Sequence, residues 1–296
     1  MAERVKLTLE ERRAKRQERR DKQRIANVGR AKKMHDARLA YEGDLYREPL
    51  APSVKTSTPE LHIGCSGWFY WHWRDCFYTG GMPTNRWFEH YAKHFNTVEL
   101  NAPFYAWPTV KTVQTWKSQP GDREFVYAVK VCELITHVKR FVGTKTLVKD
   151  FGHIADLLGD RFGCFLFQLP PSYHYTPARL KSIVSQLEPH RKNVVEFRHK
   201  SWWNENVYAA FKKHSIIFCS CSGPRLPDEL IKTADDVYIR FHGTKQWYRH
   251  DYSNDELQVW ANRIRDSGAK SVFAYFNNDR EGKALRNSKT LLRLLK

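Results

Sequence analysis

Long apolar runs are missing from this 296-residue chain: it has no stretch of about 18 hydrophobic residues and no hydrophobic signal-peptide core at its start. A membrane-spanning helix is therefore not expected, and a cytoplasmic protein is. Cysteine occurs without metal spacing. Cys65, Cys76, Cys132, Cys164, Cys219 and Cys221 form no CxxC pair, and four of them sit in apolar strand-like runs where a reduced thiol packs as a small hydrophobe. Cys219 and Cys221 can project from the same side of a strand, but a metal would need further ligands. HxH, HExxH and Asp-rich clusters are also absent, so no metal ligands are assigned and any cofactor stays unspecified. Gly64-Cys65-Ser66-Gly67 is not a glycine-rich phosphate loop, which counts against a doubly wound dinucleotide-binding sheet.

Acidic residues are in short supply. Lys and Arg number 50 against 32 Asp and Glu, a formal charge of +18. Residues 1–40 hold 14 basic and 6 acidic residues, a local excess of eight, and the remainder is basic in its own right. Anionic partners follow: an acidic small molecule or nucleic acid. Leu9 to Arg20 is helix-forming, and Glu11/Lys15 and Glu18/Lys22 have the spacing of exposed helical ion pairs. Apolar residues look too sparse for firm packing, so residues 1–60 read as a basic helical or flexible extension and linker. This extension is either a solvated helix or an arm for nucleic-acid phosphates.

From Leu61 the pattern alternates between strand and helix. Strands are predicted at Leu61–Ser66, Thr97–Asn101, Phe125–Cys132, Cys164–Leu169, Asn193–Arg198, Ile216–Ser220, Val237–His242 and Val272–Asn277. Helical stretches include Arg86–His94, Thr146–Leu158, Pro177–Leu187, Asn204–Lys213 and Asp255–Asp266. Eight such units over 61–296 predict an α/β fold, a (β/α)8 TIM-like barrel domain preceded by the basic helical N-terminal extension. Hydrophobic residues, 41% of the chain, suffice for its core.

Several stretches also form an ordered series of motifs. Ile63-Gly64-Cys65-Ser66-Gly67-Trp68 with Tyr70 and Trp73-Arg74 opens it. His94 to Asn101, Phe104-Tyr105, Ala128-Val129-Lys130 and Ile135-Thr136-His137 follow in order. Leu166 to Pro171, Val195 to Arg198 with Trp202, Tyr238 to Gly243 and Tyr275 to Asn278 complete the series. The series resembles the YecE-like family, domain of unknown function 72, and that resemblance implies a TIM-like barrel over roughly 61–296. It carries no reaction with it.

Strand ends facing a barrel mouth build sites. Taking each strand's polar phase as inward gives Ser66, Glu99, Asn101, Lys130, Gln168, Glu196, Arg198, Ser220, Arg240, His242, Tyr275 and Asn277. Two carboxylates face three cations there, which suits a phosphate or carboxylate gripped by Arg198 or Arg240. Glu99 and Glu196 are candidate base or nucleophile, with nearby cations lowering their pKa values. Lys130 is a candidate Schiff-base amine or an ion-pair partner of Glu99, and His242 or His137 a proton carrier. Trp68, Tyr70, Asn101, Gln168, Trp202, Tyr275 and Asn277 are candidate ligand contacts, because aromatic faces over a cationic floor can stack a sugar or base. A weaker metal proposal draws on His62, His137, Glu196 and His242. A buried ion-pair network that fixes barrel register and serves no ligand is the competing reading. The first functional reading is an enzyme, a hydrolase or isomerase of an anionic sugar, nucleotide or nucleic-acid end. The second is a non-catalytic DNA- or RNA-binding protein.

Overall fold

A computed structural model of the chain describes residues 8–42 and 59–296. Most of the predicted linker at 41–60 lies outside them. One long helix, α1 (Leu9–Glu42), precedes the first strand. Strands β1 (Glu60–Cys65), β2 (Thr97–Leu100), β3 (Val126–Lys130) and β4 (Phe162–Gln168) form the first half of a parallel sheet. The second half is β5 (Asn193–Glu196), β6 (Ile217–Ser222), β7 (Val237–Phe241) and β8 (Ser271–Phe276). Between them run α2 (Trp87–Ala92), α3 (Ala102–Tyr105), α4 (Val110–Ser118), α5 (Lys145–Leu158), α6 (Pro177–Gln186), α7 (Glu205–Lys213) and α8 (Asn254–Asp266), and α9 (Lys283–Leu295) closes the chain. Local chemistry starts several helices: Thr109, Thr176, Asn204 and Ser253 each accept a backbone N–H in the first turn, and Ser253 with Glu256 forms a full capping box. All eight strand expectations are met to within a few residues.

Hydrogen bonding runs in the order β1-β8-β7-β6-β5-β4-β3-β2, every pair parallel, so among the described residues the one unladdered junction lies between β1 and β2. Side chains stitch that seam. The Tyr91 hydroxyl accepts from Cys65 N–H at 2.9 Å and donates to Thr97 O at 3.0 Å. Asn96 donates to Leu61 O at 3.0 Å below it, and Asn101 to Ser66 O at 3.1 Å above it. Gly64 is needed here, because a Cβ would lie 2.6 Å from Thr97 O. The result is a nearly closed TIM-like barrel.

Apolar residues fill its lower interior: Ala128, Cys164, Leu166, Val194, Ile217, Cys219, Cys221, Tyr238, Phe273 and Tyr275. A larger core lies between strands and helices. In β6 the inward phase differs from the expectation. Cys219 and Cys221 face the interior with their sulfurs 3.8 Å apart, whereas Ser220 faces outward and accepts the Ile231 N–H at 2.9 Å. All residues of this strand are buried, so alternation carried no signal there.

α1 also departs from expectation. Asn27, Ala31, Met34 and Arg38 form a helical stripe buried against the barrel. The Asn27 amide donates to Tyr105 O at 2.9 Å and accepts from Trp107 N at 3.0 Å. His35 and Arg38 hold Asp150 of α5 at 2.9 and 3.0 Å, while Arg20 and Arg24 reach Glu133. Polar contacts do what apolar residues would ordinarily do, so the helix docks despite its composition. Glu133 follows the mouth end of β3 and Asp150 lies midway down α5, so the exposed turns before Arg20 project on the mouth side. At 1.5 Å per residue that projection spans about 17 Å.

Candidate functional site

Glu99, Lys130, Glu196, Arg198, Arg240 and His242, on or just beyond β2, β3, β5 and β7, converge at the C-terminal end of the barrel, joined by Tyr238, Asn101 and Asn277. Arg240 on β7 lies between two carboxylates, with Nη2 2.6 Å from Glu99 Oε1 and Nη1 2.6 Å from Glu196 Oε2. Tyr238 donates to Glu99 Oε2 at 2.6 Å and Asn101 to Glu99 Oε1 at 3.2 Å. Glu196 Oε1 accepts a short bond from Arg198 Nε and lies 3.3 Å from His242 Nε2. Arg198 Nη2 lies 3.0 Å from the same imidazole nitrogen, and Asn277 closes the chain at 3.4 Å from His242 Nδ1.

Burial divides this network. Glu99, Glu196 and His242 are fully buried and Arg240 is 1% exposed, whereas Lys130 is 8% exposed and the Arg198 side chain 10%. The carboxylates are thus the submerged frame, and two cations surface from it. Arg198 lies against the Trp247 ring, 4.7 Å from its centroid, and its Nη1 has no hydrogen-bond partner among the described residues. The Lys130 amine has neither hydrogen bond nor ion pair among the described residues. It sits over the Phe104 ring, with Nζ 4.0 Å from the ring centroid.

Charge follows from these positions. Burial, then the positive charge of Arg240, lowers the Lys130 amine to about 7 against the partial opposition of Glu196 and Glu99. Burial works to raise the Glu196 carboxyl, yet Arg198, Arg240 and His242 hold it well below the ordinary carboxylate range. Burial and the two guanidiniums push His242 well below its ordinary value, so the imidazole is neutral. His137, in a π-helical turn at Leu134–Val138, falls to about 4 through burial and then Lys130. The frame of two carboxylates and two guanidiniums is formally neutral. The third cation counted in the sequence is not permanent; it titrates near neutrality.

The remaining expected contacts separate into rim and core. Trp68 is half-buried with its ring edge-on to Phe88, and Tyr70 donates to Ser66 O at 2.6 Å. Gln168 is buried and donates to Leu169 O at 2.8 Å. Trp202 is not at the mouth: it stacks on Phe197 at 4.0 Å and donates to Tyr173 O at 2.6 Å, inside the helix–strand core. Tyr275 lies beneath the network, its hydroxyl 2.6 Å from Thr97 Oγ1. The proposed metal set does not assemble, since His62 sits at the opposite end of β1, stacked on Phe273. Glu196, Cys221 and His242 do offer three donor atoms within 4.8 Å. Both Glu196 oxygens are already on guanidiniums, whose positive charge opposes a cation there. Sequence reasoning passed over Tyr238 and Phe104, although Tyr238 shares the inward phase of Arg240.

Two wider concavities, of about 520 and 570 Å³, open at the other end of the barrel beside Lys192 and Asp236 and beside Leu61 and Val126. They gather no buried network. The buried charged network lies at the opposite end, at the C-terminal mouth.

A family model described as "Protein of unknown function DUF72" matches residues 62–296. The chain is 25% identical over 279 residues to "UPF0759 protein YunF" of Bacillus subtilis (strain 168), covering 79% of this chain and 94% of that one. It is 28% identical over 206 residues to "UPF0759 protein YecE" of Escherichia coli (strain K12), covering 60% and 73%. A DUF72 family protein from Thermotoga maritima superposes with a TM-score of 0.72 at 25% identity, over 80% of this chain and 99% of that one. No helix among the described residues is long and apolar enough to cross a membrane.

Proposed function

The chain belongs to the DUF72 family, and on that premise we propose that it binds a phosphate- or carboxylate-bearing ligand at the C-terminal barrel mouth and acts on it by acid–base chemistry. The ligand class is a sugar, nucleotide or nucleic-acid end, and the reaction a hydrolysis or isomerisation. One observation carries this reading: of the charged groups in the network, only Lys130 and Arg198 reach its surface, and Lys130 is unpartnered. A network that only fixed register would match the Lys130 amine as it matches Arg198. Arg198, locked by Glu196, presents Nη1 to the anion. Lys130 accepts and returns protons because its amine titrates near neutral pH. Glu99 and Glu196 act through the cations they orient, and neutral His242 steadies Arg198.

Inorganic phosphate and a panel of phosphorylated sugars and nucleotides, titrated against thermal stability, test this. At least one should raise the melting temperature of the wild type and lose that effect in Arg198→Gln. An equal response in both proteins removes Arg198 as the anchor, and no response to any member removes the reading.

A second reading, DNA or RNA binding without catalysis, is favoured by the exposed basic turns of α1 beside the mouth. Here Arg12, Arg16 and Arg19 would contact phosphates. Their joint replacement by alanine should weaken oligonucleotide binding and flatten its dependence on log salt by up to about three contacts. Binding without salt dependence would eliminate it.

A further inference from the structure

We propose that Lys130 is a covalent nucleophile that forms a Schiff base with the carbonyl carbon of an anionic aldehyde or ketone whose phosphate or carboxylate is held by Arg198. This rests on the anion-binding reading and deepens it by naming the substrate class. The geometry has three parts. Lys130 stands on the inward face at the mouth end of β3, in line with Ala128 of the barrel interior. Its nitrogen has no hydrogen bond or ion pair among the described residues, so no bond must break before attack. The Phe104 ring walls it, its centroid 4.0 Å from Nζ, and the charges of Arg240 and Arg198 act on the amine.

Apolar burial beside other cations is what makes an amine a nucleophile near pH 7. The charged and titratable groups that act on Lys130 are Glu99 from β2, Glu196 from β5, Arg198 just beyond it and Arg240 from β7, and Lys130 in turn acts on His137 in the π turn. The carboxylates are matched by the guanidiniums, so desolvation prevails. With a pKa of about 7, half of the amine is neutral at pH 7. An exposed lysine near 10.4 is neutral in only about one molecule in 2,500 at that pH.

The chemistry closes without an external oxidant or reductant. The Nζ lone pair forms the C–N bond as the carbonyl π pair moves to oxygen. Nitrogen loses a proton, oxygen gains one, and the carbinolamine expels water as its C–O bond breaks with protonation from solvent. The resulting iminium draws electrons from the neighbouring carbon, so an adjacent C–H becomes acidic or an adjacent C–C bond cleavable. Isomerisation or retro-aldol cleavage follows from that step; hydrolysis of an ester or glycoside does not.

The test uses the full chain with glycolaldehyde phosphate as probe and unphosphorylated glycolaldehyde as its control. Cyanoborohydride traps the imine, and peptide mass spectrometry locates the secondary amine. Lys130 should be labelled by the phosphate probe at least tenfold faster than any exposed lysine at pH 7. Its rate should rise with a midpoint near pH 7, inorganic phosphate should protect it, and the advantage should shrink with the unphosphorylated control. Lys130→Arg should lose the fast adduct while still binding phosphate, and Lys130→Met serves if the arginine variant misfolds. Labelling of Lys130 no faster than surface lysines overturns the Schiff-base proposal. If phosphate still stabilises the protein through Arg198 in that case, the anion-binding reading survives; if phosphate has no effect either, both fall.

Discussion

Replacing Lys130 by methionine should make the protein more stable at pH 6, although it deletes a charged group from the edge of an ion-pair network. The amine falls from 10.5 to about 7 on folding. At about 1.4 kcal/mol per pH unit, that corresponds to a ceiling of roughly 5 kcal/mol against the folded state. The sign follows from proton counts. Because the folded value is the lower one, the folded state binds fewer protons between pH 7 and 10.5, so wild-type stability rises with pH across that window. The penalty is complete below about pH 7 and gone above about 10.5. Side-chain relaxation toward the open mouth reduces the ceiling to about 2–3 kcal/mol, a gain in melting temperature of roughly 4–10 °C for Lys130→Met at pH 6. At pH 9.5 about 30% of the gain should remain. Paired thermal melts at the two pH values measure both numbers. A variant less stable than wild type at pH 6 would show that Lys130 is a favourable ion-pair partner and would refute this reading of the mouth.

Glu196→Gln should behave oppositely: losing the anion between Arg198 and Arg240 leaves two buried guanidiniums uncompensated, and denaturant unfolding should show a loss of about 3–5 kcal/mol. Tyr91→Phe removes the hydroxyl bridging Cys65 and Thr97 across the barrel seam, a cost of about 1–3 kcal/mol, with faster amide exchange at Cys65 as its local signature. Unchanged exchange there would assign the seam another fastening. Asn27→Ala leaves the backbone of Tyr105 and Trp107 without its clamp, so limited proteolysis should cut α1 away from the barrel sooner than in wild type.

The barrel was legible because its strands are separated by helices in regular alternation and several end in charged residues of one phase. Val237–His242 and Val194–Arg198 name their inward faces directly, since Arg240 and Glu196 cannot point into the outer core. Elsewhere the signal fails for physical reasons. In β6 both faces are buried and the side chains are small, so Ser220 and Cys221 were interchangeable by pattern. The docking of α1 rests on Asn27, Arg24 and Arg38 meeting backbone and carboxylates 78, 109 and 112 residues away, which no periodicity encodes. Nor does sequence disclose that Glu99 and Glu196 share Arg240, because that depends on how β2, β5 and β7 stagger around the barrel. Trp202 illustrates the opposite error. A tryptophan just past a strand end suggested a ligand platform, but the chain turns it inward onto Phe197.

The amine of Lys130 is the centre of this account, and its titration can be followed directly. The 13Cε resonance of Lys130, assigned by its loss in Lys130→Arg, should titrate with a midpoint near pH 7, apart from the other lysine resonances. A Lys130 midpoint among those of the exposed lysines would contradict it.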